Sequence, residues 1–482
     1  MRKRSDRDIG NAQSKCWLLR RADHDRVDGR LLRSTDLSGI GRADTDGHLL
    51  RMSTNALRDH LAARGDVSVA RLRSTVARLS GNEFTGRRVG TAGGLASGEW
   101  LAGQLRTAGA NVSVDHFEVA AVLELSETPV LEWSGHRGMR VLVHRRDFAE
   151  HLRSASLPTV QTGLLGAMDD QDWNGRWIVA ATPQQRVLQR AWAEGAVGLL
   201  VPRGVDEAGW MPKMIAGPGA ASVPILSVRT DLHLEMAASS SRGDRASGSV
   251  PLQTVAATGT NICGLYTKSR PGAVSVLLTA HRDDGVGDDL DQRLPAAADN
   301  ASGVAVMMEA ARLLALALPD GVGLAVALLD AEEVGAWGSA HHAPQVSAGT
   351  YVINVDGAAQ LREAVAVEAG GPAEPLLSAL DQAGRQVGVP LRAGPMPSDN
   401  RRYAAAGLPA IGIGMGMPGY QTPAETPDRV EPATLLAATR LIVATVQLLA
   451  AGGIGGGVVQ AHQRGQRPRH DSRLSTVIQQ HR

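Results

Sequence analysis

From about residue 255 the chain alternates short unbroken apolar runs with longer amphipathic stretches. The runs Val274–Ala280, Gly323–Leu329, Tyr351–Val355 and Pro409–Ile413 read as strands buried on both faces. Between the first two, Val304–Ala317 carries an apolar stripe at Val304, Met307, Met308, Ala311 and Leu314, which predicts a helix. This alternation is the βαβ signature, and it predicts an α/β fold: a mixed, mostly parallel sheet with helices on both faces. Upstream, Val69, Leu72, Val76 and Leu79 mark one helix, and Trp100, Leu101 and Leu105 mark a second. A strand is expected over Asn111–Val119. Residues 128–254 differ in texture: Trp- and Gly-spotted short strands, such as Trp177–Ala180 and Ala196–Val201, flank a helix at Val187–Glu194. The chain therefore divides into a catalytic domain made of 53–127 and 255–452, a smaller α/β insert at 128–254, a disordered or peripheral segment 1–52, and a disordered basic tail 453–482.

Candidate chemistry collects at the ends of the apolar runs. His281 and Asp283 follow the first, Glu332 and Glu333 follow the second, and Asp356 follows the third. Asp299 opens the loop DNASG before the helix. Open α/β sheets bind ligands at the carboxyl ends of their strands, so these residues converge on one edge. Any one of the 49 acidic residues at a strand end is ordinary, but this histidine and carboxylate set has the chemistry of a two-metal hydrolase. Asp299 can bridge two cations, with His281 and Asp356 on one side and Glu333 on the other. Adjacent Glu332 and Glu333 cannot present the same face, so one can bind metal while its neighbour points at the bound water, the position a general base needs. Asp283 is placed to accept the His281 imidazole N–H.

Bulk properties narrow the partners. The net charge of +1 gives no field for nucleic acid or membrane surfaces. The charged start lacks an apolar signal core, and no run reaches the roughly 18 apolar residues of a membrane span, so a cytoplasmic protein is expected. Cys16 and Cys263 offer neither a disulfide framework nor a zinc knuckle. Arg401 and Arg402 stand before the fourth run, where they are placed either to meet a substrate carboxylate or to form a solvated basic loop. Trp337 and Tyr403 are read as pocket walls or as core.

The segments HRD at 281–283, AADNASGVA at 297–305, LLDAEEVGAWGS at 328–339 and INVDG at 353–357 together resemble metallopeptidase family 28, which includes co-catalytic zinc aminopeptidases, glutamate carboxypeptidase and transferrin-receptor-like proteins. GRRVGTAGGLASGEWLAGQL at 86–105 is similar to the family's N-terminal helix, and 128–254 resembles a protease-associated insert. The resemblance implies that His281, Asp299 and Asp356 bind one zinc, that Asp299 and Glu333 bind a second, and that Glu332 is the base. It implies a zinc exopeptidase, most simply an aminopeptidase, acting on peptide or aminoacyl substrates.

The chain departs from the family in the turn Tyr420-Gln421-Thr422-Pro423, where the last ligand is a histidine and this sequence has Gln421. A neutral amide oxygen is a weak zinc donor. Three outcomes follow: a second metal held loosely through Asp299, Glu333 and Gln421; a single zinc on His281, Asp299 and Asp356; or a catalytically inactive protein that keeps a binding or scaffold role. Asn400 is a second departure, at a position where aminopeptidases often carry histidine.

Overall fold

The computed structural model describes residues 66–84, 86–136, 138–151, 153–212, 221–284 and 294–463, with side chains as far as 452. The expectations for segment 1–52 and for the tail from 464 lie outside these residues. The chain starts with helix α1 (Val69–Leu79), capped by Ser68, whose hydroxyl accepts from the Arg71 N–H. Leu72, Val76 and Leu79 form its buried stripe. Helix α2 (Ala92–Thr107) is capped by Thr91. Its Gly-Gly start is steric: a Cβ at Gly93 would lie 1.5 Å from the Phe84 carbonyl oxygen.

Strand β1 (Asn111–Leu125) then leaves this region. The next strands are β2 (Leu131–Gly135), β3 (Gly138–Val141), β4 (Phe148–Glu150), β5 (Leu157–Gly166) and β6 (Arg176–Val179). Helix α3 (Gln185–Ala193), β7 (Gly198–Arg203), β8 (Ile225–Arg229), helix α4 (Thr230–Ser239) and β9 (Arg245–Val250) complete the segment. These strands make their own sheet in the order β3-β2-β9-β5-β6-β7-β8-β4. Trp177, Leu200 and Leu226 pack on one of its faces, and Trp173, Ile178, Leu199 and Val187 on the other. The chain returns along β10 (Leu252–Thr267), which pairs antiparallel with β1 from Asn111↔Leu265 to Leu125↔Leu252. This long ribbon explains why β1 continues past the Val119 end expected from its pattern. The partner strand carries it over a bulge between Val119 and Val122.

The remaining elements are β11 (Ser275–His281), helix α5 (Gly303–Ala317), β12 (Gly323–Leu329), helix α6 (Trp337–His342), β13 (Tyr351–Val355), β14 (Val365–Gly370), helix α7 (Glu374–Val387), β15 (Leu391–Ala393), helix α8 (Asn400–Ala405), β16 (Ala410–Gly414) and helix α9 (Pro432–Gln463). The main sheet runs β1-β10-β12-β11-β13-β16-β14-β15. Its centre, β12-β11-β13-β16, is parallel throughout. The flanking pairs β1–β10, β10–β12 and β14–β16 are antiparallel, so the fold is mixed α/β. Leu278, Val326, Ile353 and Ile411 face a core built with α1, α2, α5, α7 and α9. Leu277, Ala327, Val352 and Ala410 face the opposite layer with Tyr403 and Leu408. Burial on both sides is why these strands read as continuous apolar runs. Pro409 has no N–H to give, so β16 starts one residue later than its apolar run, while the Pro409 carbonyl accepts from Val352 N–H.

One expectation changes here. By length and composition alone, Ala297–Ala317 and Pro432–Gly452 are apolar enough to cross a membrane. They are 72% and 67% buried within the protein, so their apolar surface is used in packing against the sheet.

Candidate metal centre

The parallel register sets the site. Ala280 is level with Leu328, His281 with Leu329, and Val355 with Ile413, so the carboxyl ends of β11, β12, β13 and β16 finish together. His281 is the last residue of β11. Glu332 and Glu333 follow β12 through Ala331, whose φ of 58° turns the chain sharply. Asp356 follows β13, and Asp299 lies in the wide turn Ala297–Ser302 that leads into α5. Asn300 fastens this turn: its Nδ2 donates to the Val355 carbonyl, and its Oδ1 accepts from Gly303 and Gly357 N–H.

His281 Nε2 lies 3.1 Å from Asp299 Oδ1 and 3.3 Å from Asp356 Oδ1. Nδ1 lies 3.1 Å from the Asp283 carbonyl oxygen. A carbonyl only accepts, so Nδ1 carries the proton and Nε2 is turned towards the two carboxylates. The Asp283 carboxylate is farther from Nδ1, at 3.5 Å. It accepts instead from the backbone N–H groups of Glu332 and Glu333, at 3.2 and 3.3 Å. Asp283 thus orients the histidine through its carbonyl and the glutamate pair through its side chain.

The electrostatics are those of crowded acids. Burial pushes the half-buried Glu332 and Glu333 well above the usual carboxylate range, and their acidic neighbours add to this. Burial and Asp356 raise Asp299. Burial works against the charged form of His281, but Asp356, Asp283 and Asp299 outweigh it and the imidazole is raised well above its usual value. Burial would likewise raise Asp356, yet His281 reverses this and holds it low.

Gln421 reaches the same place. It is 8% exposed, adopts φ of 51°, and donates Nε2 to Glu333 Oε2 at 2.8 Å. Among the described residues, Gln421 Oε1, Glu333 Oε1 and Asp299 Oδ1 are buried without a hydrogen-bond partner. Ligand atoms of His281, Asp299 and Glu333 lie within 4.8 Å of one another, as do those of His281, Glu332 and Asp356. Orphaned oxygen lone pairs converging beside an imidazole fit a divalent cation, and the nitrogen and carboxylate donors suit zinc.

Several supporting residues escape a reading by strand ends. Glu425 Oε1 accepts from the N–H groups of Ala298 and Asp299, at 3.0 and 2.5 Å, and its Oε2 accepts from Gln421 N–H at 2.7 Å. It ties the Asp299 turn to the Gln421 turn. Its only sequence signal is an acid four positions after Gln421. Buried Arg282 donates to Asp330, Thr260 O and Gly94 O. Buried Arg87 donates to the carbonyls of Arg282 and Ala296 and receives Asp284 at its own N–H. These two arginines lock the β11 end to α2 and to the Asp299 turn.

Other candidates lie elsewhere. Arg401 pairs with Glu368, and Arg402 donates to Gly335 O, so neither guanidinium is held ready for a substrate. Tyr403 is fully buried against His342, and Trp337 donates to Val334 O. His341 meets Asp115. Burial pushes the Cys263 thiol up to about 12, which excludes a ready thiolate.

Residues 261–446 match the model of Peptidase family M28. Among curated proteins, no sequence matches the chain. The fold is similar to an aminopeptidase from Aneurinibacillus sp. strain AM-1, with a TM-score of 0.61 and 18% identity over 80% of this chain and 94% of that one. A zinc aminopeptidase from Bacillus subtilis gives a TM-score of 0.61 and 21% identity, covering 79% of this chain and 94% of its own. A Peptidase M28 precursor from Shewanella amazonensis SB2B gives 0.62 and 16%, over 84% and 97%.

Proposed function

We propose that the protein, whose residues 261–446 match the model of Peptidase family M28, is a metal-dependent exopeptidase that removes amino-terminal residues from peptides or aminoacyl amides. The observation that carries this reading is the meeting of His281, Asp299, Asp356, Glu332 and Glu333 at one sheet edge, with orphaned buried oxygens among them. His281, Asp299 and Asp356 are the residues to hold one zinc, and Asp299, Glu333 and Gln421 a second. Zinc bound there supplies Lewis acidity towards a carbonyl and acidifies water. Glu332 then takes the proton as the water oxygen bonds to the scissile carbon, and returns it to the leaving amine as the C–N bond breaks. Asp283 fixes Glu332 by accepting from its backbone N–H.

The domain reading belongs to the same proposal: 53–127 and 255–452 form the peptidase domain and 128–254 an insert, in a cytoplasmic protein. A second reading, a binding or scaffold protein without catalysis, is favoured by one contact. Gln421 turns its amide N–H, and not its carbonyl oxygen, towards Glu333. Metal content measured alongside turnover of aminoacyl-p-nitroanilides separates the two. Bound zinc with hydrolysis supports the peptidase. No zinc and no turnover after added Zn, Co or Mn sinks it.

A further inference from the structure

The turn that presents Gln421 to Glu333 is held from two sides. From inside, Glu425 accepts from Gln421 N–H and ties the turn to Asp299. Gln421 itself stands in the left-handed region, at φ of 51°, which a residue with a side chain keeps only where its surroundings fix it. From outside, the turn meets the 204–212 loop that follows β7 of the second sheet.

That loop is tied to itself and to its sheet. Asp206 Oδ1 accepts from Ala208 and Trp210 N–H, at 2.9 and 2.8 Å, and Asp206 N–H donates to Trp210 O. The Arg146 guanidinium lies 3.4 Å from the Trp210 ring centre and donates to Ala208 O at 2.7 Å, while Met211 N–H donates to Arg145 O. Two acids of this loop meet the turn. The buried Thr422 hydroxyl lies 2.6 Å from Gly419 O and 3.1 Å from Asp206 Oδ2, so its one proton is shared between the turn's own carbonyl and the loop's carboxylate. Glu207 pairs with Arg429, whose Nη1 donates to Ala424 O at 3.2 Å. Arg429 lies directly against the turn: a Cβ at Gly419 would come within 2.8 Å of its Nη1. An exposed ion pair or a shared hydrogen bond is weak alone, but on one tied loop the two act on the turn together.

We propose that the 204–212 loop positions the metal centre: Asp206 and Glu207 clamp the turn that carries Gln421, so the centre's affinity for a divalent cation depends on a loop that supplies none of its ligands. The assignment rests on the metal-centre reading. It makes Asp206 and Glu207 positioning residues, acting through Thr422 and Arg429, and it couples displacement of the loop to loss of metal.

Cobalt(II) is the probe, titrated into the full chain after chelator dialysis and followed by its visible absorption. With Asp206→Ala and Glu207→Gln combined, the dissociation constant of the most weakly held cobalt ion should rise about three- to thirty-fold. Hydrogen exchange over 417–426 should quicken by a similar factor. Arg146→Met loosens the loop from its sheet without altering either acid, and should shift cobalt affinity in the same direction. It also carries the test, with Glu207→Gln alone, if the combined variant does not fold. Glu235→Gln, which breaks an exposed ion pair with Arg140 elsewhere on the second sheet, should bind cobalt as wild type does. Cobalt affinity equal to wild type in the folded clamp variants overturns the proposal. Wild type that takes up no cobalt is instead a failure of the metal-centre reading. Exchange then decides the clamp: faster exchange over 417–426 in the variants supports it, and unchanged exchange overturns it.

Discussion

The side-chain amide of Gln421 donates to Glu333 Oε2 across 2.8 Å and leaves its own carbonyl oxygen buried and unpartnered among the described residues. The turn therefore delivers residue 421 to the place where a ligand would stand, but with a hydrogen-bond donor facing the carboxylate. A histidine on the same backbone would offer a nitrogen lone pair.

Gln421→His should raise bound zinc from about one to about two per chain and increase turnover. Metal analysis after dialysis, beside rates on an aminoacyl-p-nitroanilide, checks this. Unchanged stoichiometry would show that residue 421 is not a ligand position.

Glu332→Gln keeps shape and removes the proton acceptor. Zinc content should match wild type, while kcat falls by about 10²- to 10⁴-fold. Full activity in this variant would remove Glu332 from the mechanism.

Glu425 positions the site without belonging to it. In Glu425→Gln the new amide N–H opposes one of the backbone donors that the carboxylate now satisfies at Ala298, Asp299 and Gln421. Zinc affinity should weaken by about 10- to 100-fold, measured by competition with a chelator. An effect confined to thermal stability, with zinc affinity intact, would make the residue merely structural.

Glu309 sets an acid limit on stability far from the centre. It accepts from Ser68 N–H and from Arg71 and pairs with Arg312. Burial opposes its charge, but these donors prevail and lower its pKa from 4.5 to about 2. The folded value is the lower one, so the stabilisation is complete above about 4.5 and is lost as pH falls towards 2. Denaturant unfolding from pH 6 to 2 should show this loss, and Glu309→Gln should flatten it while costing about 1–3 kcal/mol at neutral pH.

The strands of the main sheet were legible because burial on both faces leaves an unbroken apolar run, as at Gly323–Leu329 and Tyr351–Val355, where pattern and structure coincide. Their parallel order then places His281, Glu332 and Asp356 at one edge, which follows from topology alone. The tandem arginines were harder. Arg401 and Arg402 read as free cations in a loop, yet each finds a partner from a distant segment, Glu368 and Gly335.

The sequence by itself therefore determined the α/β alternation, the strand ends and the inventory of acids and histidine, because hydrophobic period and residue chemistry are local properties. Only the tertiary structure decided how those groups are held. Asp283 faces His281 with its carbonyl and the glutamate pair with its carboxylate, and Glu425 clasps two turns more than a hundred positions apart. The physical reason is directional: a hydrogen bond depends on where donor and acceptor point after the chain has packed, and no spacing along the sequence records that.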